Sequence, residues 1–204
     1  ADIAAADWLA AEVANSGGAA MLEHFDLLRV DPRECHVGAE GRRAVLSDVR
    51  QSRHQAVVLI TRGGRPGLFL LNAPAFSKPS GPPTLQVSST HAEWLHALAR
   101  RGAEVDLVAR VDRTPAKASN VTAFVRGSDR SLAPVVVSTP RSAWWRCAGE
   151  RGGGLACWLE AVRSLARANP RRDCHFVAFS GHELGWLGML DYLRRRPDLI
   201  GRAH

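Results

Sequence analysis

Lysine is almost missing from this 204-residue chain, in which only Lys78 and Lys117 occur. The formal charge of +7 is therefore carried by arginine. The arginines are spread along the chain, with short clusters at 100–101, 171–172 and 194–196. No recognised nucleic-acid motif accompanies the charge, so a nucleic-acid groove is not expected. The last cluster falls in the final turn of a predicted helix, where cations offset the helix dipole. No apolar run approaches the roughly 20 residues that cross a bilayer, so a membrane span is not expected either. The opening ADIAAADWLAAEVA lacks both a basic n-region and an apolar h-region and does not read as a signal peptide. It begins directly in a helix, as a piece of a longer protein would. The four cysteines (35, 147, 157 and 174) have no Cys-x-x-Cys spacing, which argues against a zinc knuckle. Buried thiols or a Cys147–Cys157 pair both remain open, and so does the compartment.

What is present is ordinary globular material, 46% hydrophobic and 23% charged, enough for one large domain or two small ones. Residues 4–13 are alanine-rich, with Trp8, Leu9 and Val13 on one side of a helix that the 15–18 turn ends. Residues 21–30 read as a strand closed by Asp31-Pro32. From 33 to about 118 the texture changes. Short β-type runs (56–61, 68–71, 85–88) are separated by Gly/Pro-rich turns such as 63–67, and a helix capped by Ser89 or Thr90 extends to Arg101. Residues 104–111 alternate as a strand. This block looks like a small β-rich module inserted into another fold.

The C-terminal part is an α/β layer. Strands at 119–126 and 133–138 are joined by a hairpin-type link containing Gly127, Ser128 and Asp129. A helix at 153–168 carries Leu155, Trp158, Leu159, Val162 and Leu165 at helical spacing. A nearly continuous apolar strand at 174–179 suits the centre of a parallel sheet, and a helix at 184–196 stops at Pro197. Polar groups gather where these strands end, as sites in open α/β sheets do. One end carries the Trp-, Arg- and Cys-rich loop at 140–154, and the other carries Ser180, Gly181, His182 and Glu183.

These residues resemble the di-zinc aminopeptidase family, including its members with a protease-associated domain. The likeness runs through the strand SNVTAFVRGSD, the strand VVVS, and the stretches GGGLACWLEAVRSLA and FVAFSGHELGWLG, all in the family's order. It implies a zinc-peptidase-like mixed sheet flanked by helices, at 1–31 and 119–204. A protease-associated-like β-rich insert would span 32–118. It also implies a metal-dependent exopeptidase, in which carboxylates and imidazoles hold two zinc ions that polarise a peptide carbonyl and deliver hydroxide. Family members with such an insert are often exported.

Carried over residue by residue, the resemblance leaves few of the groups in place. The first His position is Pro140 and its paired Asp position is Ser142, a poor zinc ligand. The helix-opening acid falls at Glu150, with Arg151 where the family has Asn. The general-base Glu becomes His182, which still suits proton transfer near neutral pH. The adjacent metal ligand is retained as Glu183. The last two ligands of the family lie beyond His204. The expectation is thus a pseudo-peptidase that holds no zinc, or at most one weakly bound metal at Glu150 and Glu183. An exopeptidase working through a reduced metal site is the alternative.

A binding module is a third possibility. Arg141, Arg146 and Arg151, with Gly152 and Gly153 at a helix N-terminus and Trp144 and Trp145 as walls, suit a peptide or a small anionic ligand. A metal-free hydrolase would use Ser142 or Cys147 as nucleophile with His182 as base. No Gly-x-Ser-x-Gly signature supports that chemistry.

Overall fold

A computed structural model describes residues 2–45, 55–79, 81–144 and 147–203, so Trp145 and Arg146 lie outside the described residues. The elements in order are α1 (Asp2–Asn15), β1 (Ala19–Ala39), β2 (Arg42–Val45), β3 (Val57–Thr61), β4 (Thr84–Ser88) and α2 (Ala92–Arg100). They are followed by β5 (Asp106–Val125), β6 (Val135–Pro140), α3 (Gly153–Ala168), β7 (Cys174–Phe179), α4 (Leu187–Arg194) and α5 (Pro197–Ile200). A five-stranded sheet has the order β2-β1-β5-β7-β6, and β3 and β4 form a separate parallel pair. The chain divides into two compact units, Ala1–Leu27 with Lys117–His204, and Leu28–Ala116. The strands β1 and β5 contribute residues to both.

The first unit is built around β7. Its six residues, CHFVAF, are apolar apart from His175, and five of them are buried. Successive side chains on a strand point to opposite faces, and β7 divides accordingly. Cys174, Phe176 and Ala178 pack with Ala6, Leu9 and Val13 of α1 and Trp158, Leu159 and Val162 of α3. Val177 and Phe179 pack with Met189 and Tyr192 of α4. Helices therefore cover both faces of the sheet. β7 pairs antiparallel with β5 (Val121 opposite Ala178) and parallel with β6 (Val135 opposite Cys174), so the sheet is mixed. The α/β class expected from the sequence is the architecture observed.

Several local expectations are corrected. In α1 the buried stripe is Ala6, Leu9 and Val13, and Trp8 is exposed. The link after β5 does not close a hairpin, because β7 lies between β5 and β6. Gly127 is needed there for close approach, since a Cβ would fall 2.3 Å from the carbonyl carbon of Arg172. β1 does not end at Asp31-Pro32, and residues 104–111 and 119–126 are not separate strands. Each belongs to one long strand that passes through a proline, Pro32 in β1 and Pro115 in β5. Cross-strand side-chain bonds accompany the passage, from Arg33 to Asp112 and from Thr114 to Asp31.

In the second unit, Val37, Leu85 and Val87 form a small core with Val58, Trp94, Leu95 and Leu107 around it. Residues 68–71 are not a strand. Their donors go to side chains instead, Phe69 N–H to Thr61 Oγ1 and Leu71 N–H to Gln86 Oε1. Ser88 caps the 3-10 turn that leads into α2 by accepting from Thr90 N–H. The helix expected at 184–196 begins only at Leu187, because Gly185 and Trp186 both adopt positive φ. The arginines at its end pair with specific partners: Arg194 and Arg195 with Asp191, and Arg196 with Glu23 and the Tyr192 ring. Among the described residues no helix is long and apolar enough to cross a membrane.

Candidate functional site

The site is placed by the parallel pairing of β6 and β7, whose last residues, Pro140 and Phe179, stand opposite each other. The Arg141 N–H continues the ladder by donating to Phe179 O at 2.7 Å. The loop after β6 and the loop after β7 thus leave adjacent strand ends. After β7 the chain turns sharply at Gly181 (φ 71°) into a 3-10 turn, His182–Leu184. Asn120 on the neighbouring strand clamps this turn. Its Oδ1 accepts from Ser180 N–H, and its Nδ2 donates to Gly188 O. After β6 the chain reaches a π-helical turn, Ala148–Gly152, which carries Glu150 and Arg151 just before α3 begins. Such turns recur at functional sites.

Arg151 is the hub. Its Nη2 donates to Glu183 Oε1 at 2.7 Å and lies 3.0 Å from His182 Nδ1. Its Nη1 is 2.7 Å from Glu150 Oε1, and its Nε donates to Ser142 O at 2.8 Å. A guanidinium has donors only, so a hydrogen bond in this contact requires His182 Nδ1 to accept, whereas the same Nδ1, 3.3 Å from Glu183 Oε1, would have to donate to the carboxylate. Ser142 Oγ donates to Glu183 Oε2 at 2.8 Å and accepts from the His182 backbone N–H at 3.1 Å. The Arg151 and Glu183 side chains are only 11% and 6% exposed, whereas Glu150 is 62% exposed.

The titration of the carboxylates follows from this geometry. Burial opposes the charge of Glu183, but the hydrogen bonds from Arg151 and Ser142 outweigh it and hold the carboxyl below its usual range. Glu150 is lowered by the Cys147 thiol hydrogen bond and by the Arg151 charge. Burial works against the charge of Arg151, yet its bonds to Glu183 and its pairing with Glu150 raise its pKa above the ordinary value. The Cys147 thiol, donating to Glu150 at 3.0 Å, is pushed up, which keeps it protonated and a poor nucleophile.

The other expected site residues divide into those drawn into this cluster and those used elsewhere. Arg141 belongs to a second network. Its side chain is 2% exposed and donates to Asp2 O, Asp2 Oδ1 and Ser119 O, while Ser180 Oγ also donates to Asp2 Oδ1. Arg141 and Arg151 are therefore counter-ions of the chain's own carboxylates, Asp2 for the first and Glu150 and Glu183 for the second, and not free cations of a rim. Trp144 is half-buried, and the expectations for Trp145 and Arg146 fall outside the described residues. Gly152 and Gly153 end the π-turn and open α3. An added Cβ would meet nothing within 4 Å at either, so of the three glycines only Gly154, 3.0 Å from Thr139 Oγ1, mediates close approach. All four cysteines are free thiols. The His182 ring contacts Arg151 and Glu183, while only its backbone reaches Ser142, so the nucleophile-base bond of a metal-free hydrolase is not formed.

Sequence reasoning passed over one residue, Trp186. It is 53% exposed, stacks on Phe179 at 5.9 Å and lies 5.4 Å from the His182 ring. Its φ of 63° is costly for a bulky residue and tends to mark functional sites. The available signal was a large aromatic residue set one position after a glycine in GHELGWLG.

Zinc, which the family resemblance implies, needs carboxylate and imidazole donors free to converge on it. Glu183 Oε1 and His182 Nδ1 both face one nitrogen of Arg151, and Glu150 faces the other. A metal contacting these donors would have to share space with a guanidinium, and two cations at that separation repel. Pro140 supplies no ligand, and the Ser142 hydroxyl is spent on Glu183. Among the described residues no three His, Cys, Asp or Glu side chains are disposed to hold a metal. The residues present do not fit a dinuclear zinc centre.

No protein-family model matches the chain, and no curated protein does. Solved structures do. A peptidase M28 precursor from Shewanella amazonensis SB2B is similar with a TM-score of 0.71 and 14% identity, over 100% of this chain and 64% of that one. BSAP, a zinc aminopeptidase from Bacillus subtilis, gives 0.70 and 15% identity over 100% and 61%. An aminopeptidase from Aneurinibacillus sp. strain AM-1 gives 0.68 and 14% over 99% and 63%. The chain thus spans between 61% and 64% of the length of these structures. A mixed sheet flanked by helices is the fold this chain has, and it is the fold of these peptidases.

Proposed function

We propose that this chain is a pseudo-peptidase, descended from metal-dependent aminopeptidases, in which an internal ion cluster stands where a di-zinc centre would work. One observation carries this: the Arg151 guanidinium lies between Glu150 and Glu183 and against His182. The cluster uses up the carboxylates and the imidazole Nδ1 that metal chemistry needs. In the same proposal the unit Leu28–Ala116 is a protease-associated-like insert, supported by its being compact on its own.

The retained role is binding of a peptide end. Among the described groups, two carboxylates against one guanidinium leave a net negative charge at the strand ends. That favours a peptide amino terminus over the small anion that the arginine content suggested. Trp186, exposed and stacked beside His182, supplies an aromatic platform for the first side chain. The test is an aminopeptidase assay on purified protein with added zinc and with a chelator, next to titration with short peptides of free and acetylated amino termini. The proposal expects no chelator-sensitive cleavage, and binding that acetylation weakens. Zinc-dependent, chelator-sensitive release of amino acids would overturn it.

A further inference from the structure

We infer that the end of the sheet away from the Arg151 cluster is a docking surface for an acidic protein segment, one apolar side chain of which seats in a hollow beside Arg126. This surface is separate from the strand-end cluster and stands whether or not that cluster binds a peptide end.

The hollow forms where small residues meet at the ends of several elements. β5 ends at Val125, opposite Cys174 at the start of β7, and β6 begins at Val135 opposite the same residue. The turn from α1 into β1 and the end of α3 reach the same place. Gly17 turns the chain after α1 with φ 83°, and Asn169, at φ 48°, ends α3 in the left-handed conformation before Pro170. Between them lies an open hollow of about 320 Å³. It is lined by Ala19, Phe124, Val125, Ala166 and Pro170 with two glycines, and its polar members are Arg126 and Asn169. That volume is at the lower end of the range for ligand pockets, about 300–1,000 Å³, and suits a side chain better than a cofactor.

Positive charge surrounds the hollow. Residues 126–131 and 167–173 hold five arginines and two aspartates. Both aspartates are committed to the backbone: Asp173 Oδ1 accepts from Gly127 N–H at 2.8 Å, and Asp129 Oδ1 accepts from Ser131 N–H and Ser131 Oγ. Arg130 and Arg171 reach these aspartates only at 3.8 and 3.3 Å and are 76% and 77% exposed. Arg126 and Arg167 are exposed and pair with nothing among the described residues. The two loops are laced together, Ser128 N–H to Pro170 O and Asp129 N–H to Arg171 O, both at 2.9 Å. A frame ordered before binding lowers the entropy cost of docking.

The shape selects among anionic partners. A protein that holds a duplex through about 6–10 phosphate contacts spreads its cations along the duplex. Here Arg126 lines one hollow, and Arg167 and Arg171 directly follow the lining residues Ala166 and Pro170. A membrane surface takes protruding apolar groups, whereas this apolar surface is recessed. An acidic segment with one apolar residue fits both features, with guanidinium forks for its carboxylates and the hollow for its apolar side chain.

The probe is the fluorescently labelled peptide acetyl-Asp-Glu-Leu-Glu-Asp-amide, whose blocked amino end is the form that the strand-end cluster disfavours. Its binding to the unmodified chain is read by fluorescence anisotropy. It is compared with the same peptide carrying Ser for Leu, with a short DNA duplex, and with vesicles of phosphatidylserine and phosphatidylcholine. The leucine peptide should bind, and its affinity should fall as salt rises from about 0.05 M to 0.3 M. Replacing its leucine by serine should weaken binding at least about tenfold. Arg126→Gln/Arg167→Gln should weaken it about tenfold. Ala166→Leu, which fills the hollow from an exposed helix position, should bring the leucine peptide down to the affinity of the serine peptide. Melting curves check the fold of each variant, and Arg130→Gln/Arg171→Gln repeats the charge test should the first pair not fold. Absence of peptide binding, equal binding of the two peptides, or binding untouched by the arginine variants overturns the inference. DNA or vesicles held more tightly than the peptide through the same arginines also overturn it, by assigning the surface to another class of partner.

Discussion

Replacing Arg151 by Ala should be among the most destabilising single changes in the strand-end cluster. The substitution leaves the Glu183 carboxylate, 6% exposed, with only the Ser142 hydroxyl and the more distant His182 ring as side-chain partners among the described residues. Stranding one member of a buried ion pair costs about 3–5 kcal/mol. For a chain of this length each kcal/mol moves the melting temperature by about 2–4 °C, so a fall of roughly 6–20 °C follows. Glu183→Gln should cost less, because the guanidinium keeps Glu150 and the Ser142 carbonyl. The double variant Arg151→Ala/Glu183→Gln removes the stranded charge. It should be less destabilised than the two single losses added, by a coupling of about 0.5–3 kcal/mol. Urea denaturation at neutral pH, followed by tryptophan fluorescence, measures all three. An Arg151→Ala loss below about 1 kcal/mol, or strict additivity, would refute the reasoning.

Further outcomes follow from the same contacts. The folded-state pKa of Glu183 is depressed, so its contribution is complete above the ordinary carboxylate value and lost as pH falls through the depressed one. Acid denaturation curves should therefore show a shallower stability loss in Glu183→Gln than in the unmodified chain. The glycines predict opposite signs. Gly188→Ala would place a Cβ 2.2 Å from Asn120 Oδ1 and 2.6 Å from Ser180 O, costing about 1–3 kcal/mol or more by calorimetry. Gly153→Ala meets open space at helical φ and should stabilise by about 0.4–1 kcal/mol. Glu150→Gln should speed alkylation of Cys147, because the carboxylate is the first cause of that thiol's raised pKa. Peptide mapping after iodoacetamide treatment reports the rate.

The parts of the fold that could be read in the sequence are those set by local pattern. The apolar run at β7 and the helical spacing of Leu155, Trp158, Leu159, Val162 and Leu165 mark elements whose ends agree with the structure, Cys174–Phe179 and Gly153–Ala168. The long strands were harder. Pro32 and Pro115 look like breaks, and only the cross-strand partners of β1 and β5 carry the chain through them. The β5–β6 link looked like a hairpin because the strand that separates them, β7, comes later in the chain. At the site, Glu150, His182 and Glu183 stood out as types and were brought together. That Arg151 would satisfy both carboxylates is a tertiary fact, set by the pairing of Pro140 with Phe179, and no spacing rule conveys it. Trp186 was overlooked for a related reason. Its neighbours Phe179 and His182 are visible only once the turn at Gly181 is formed.

The central claim is that a guanidinium, and not a metal, is the cation of this cluster, and metal content tests it most directly. The chain would be produced with zinc supplied, dialysed without chelator, and measured for metal per mole of protein. A cluster whose cation is Arg151 gives well below one zinc per chain, with thermal stability unchanged by chelator. One or two equivalents of zinc, lost to chelator together with stability, would contradict it.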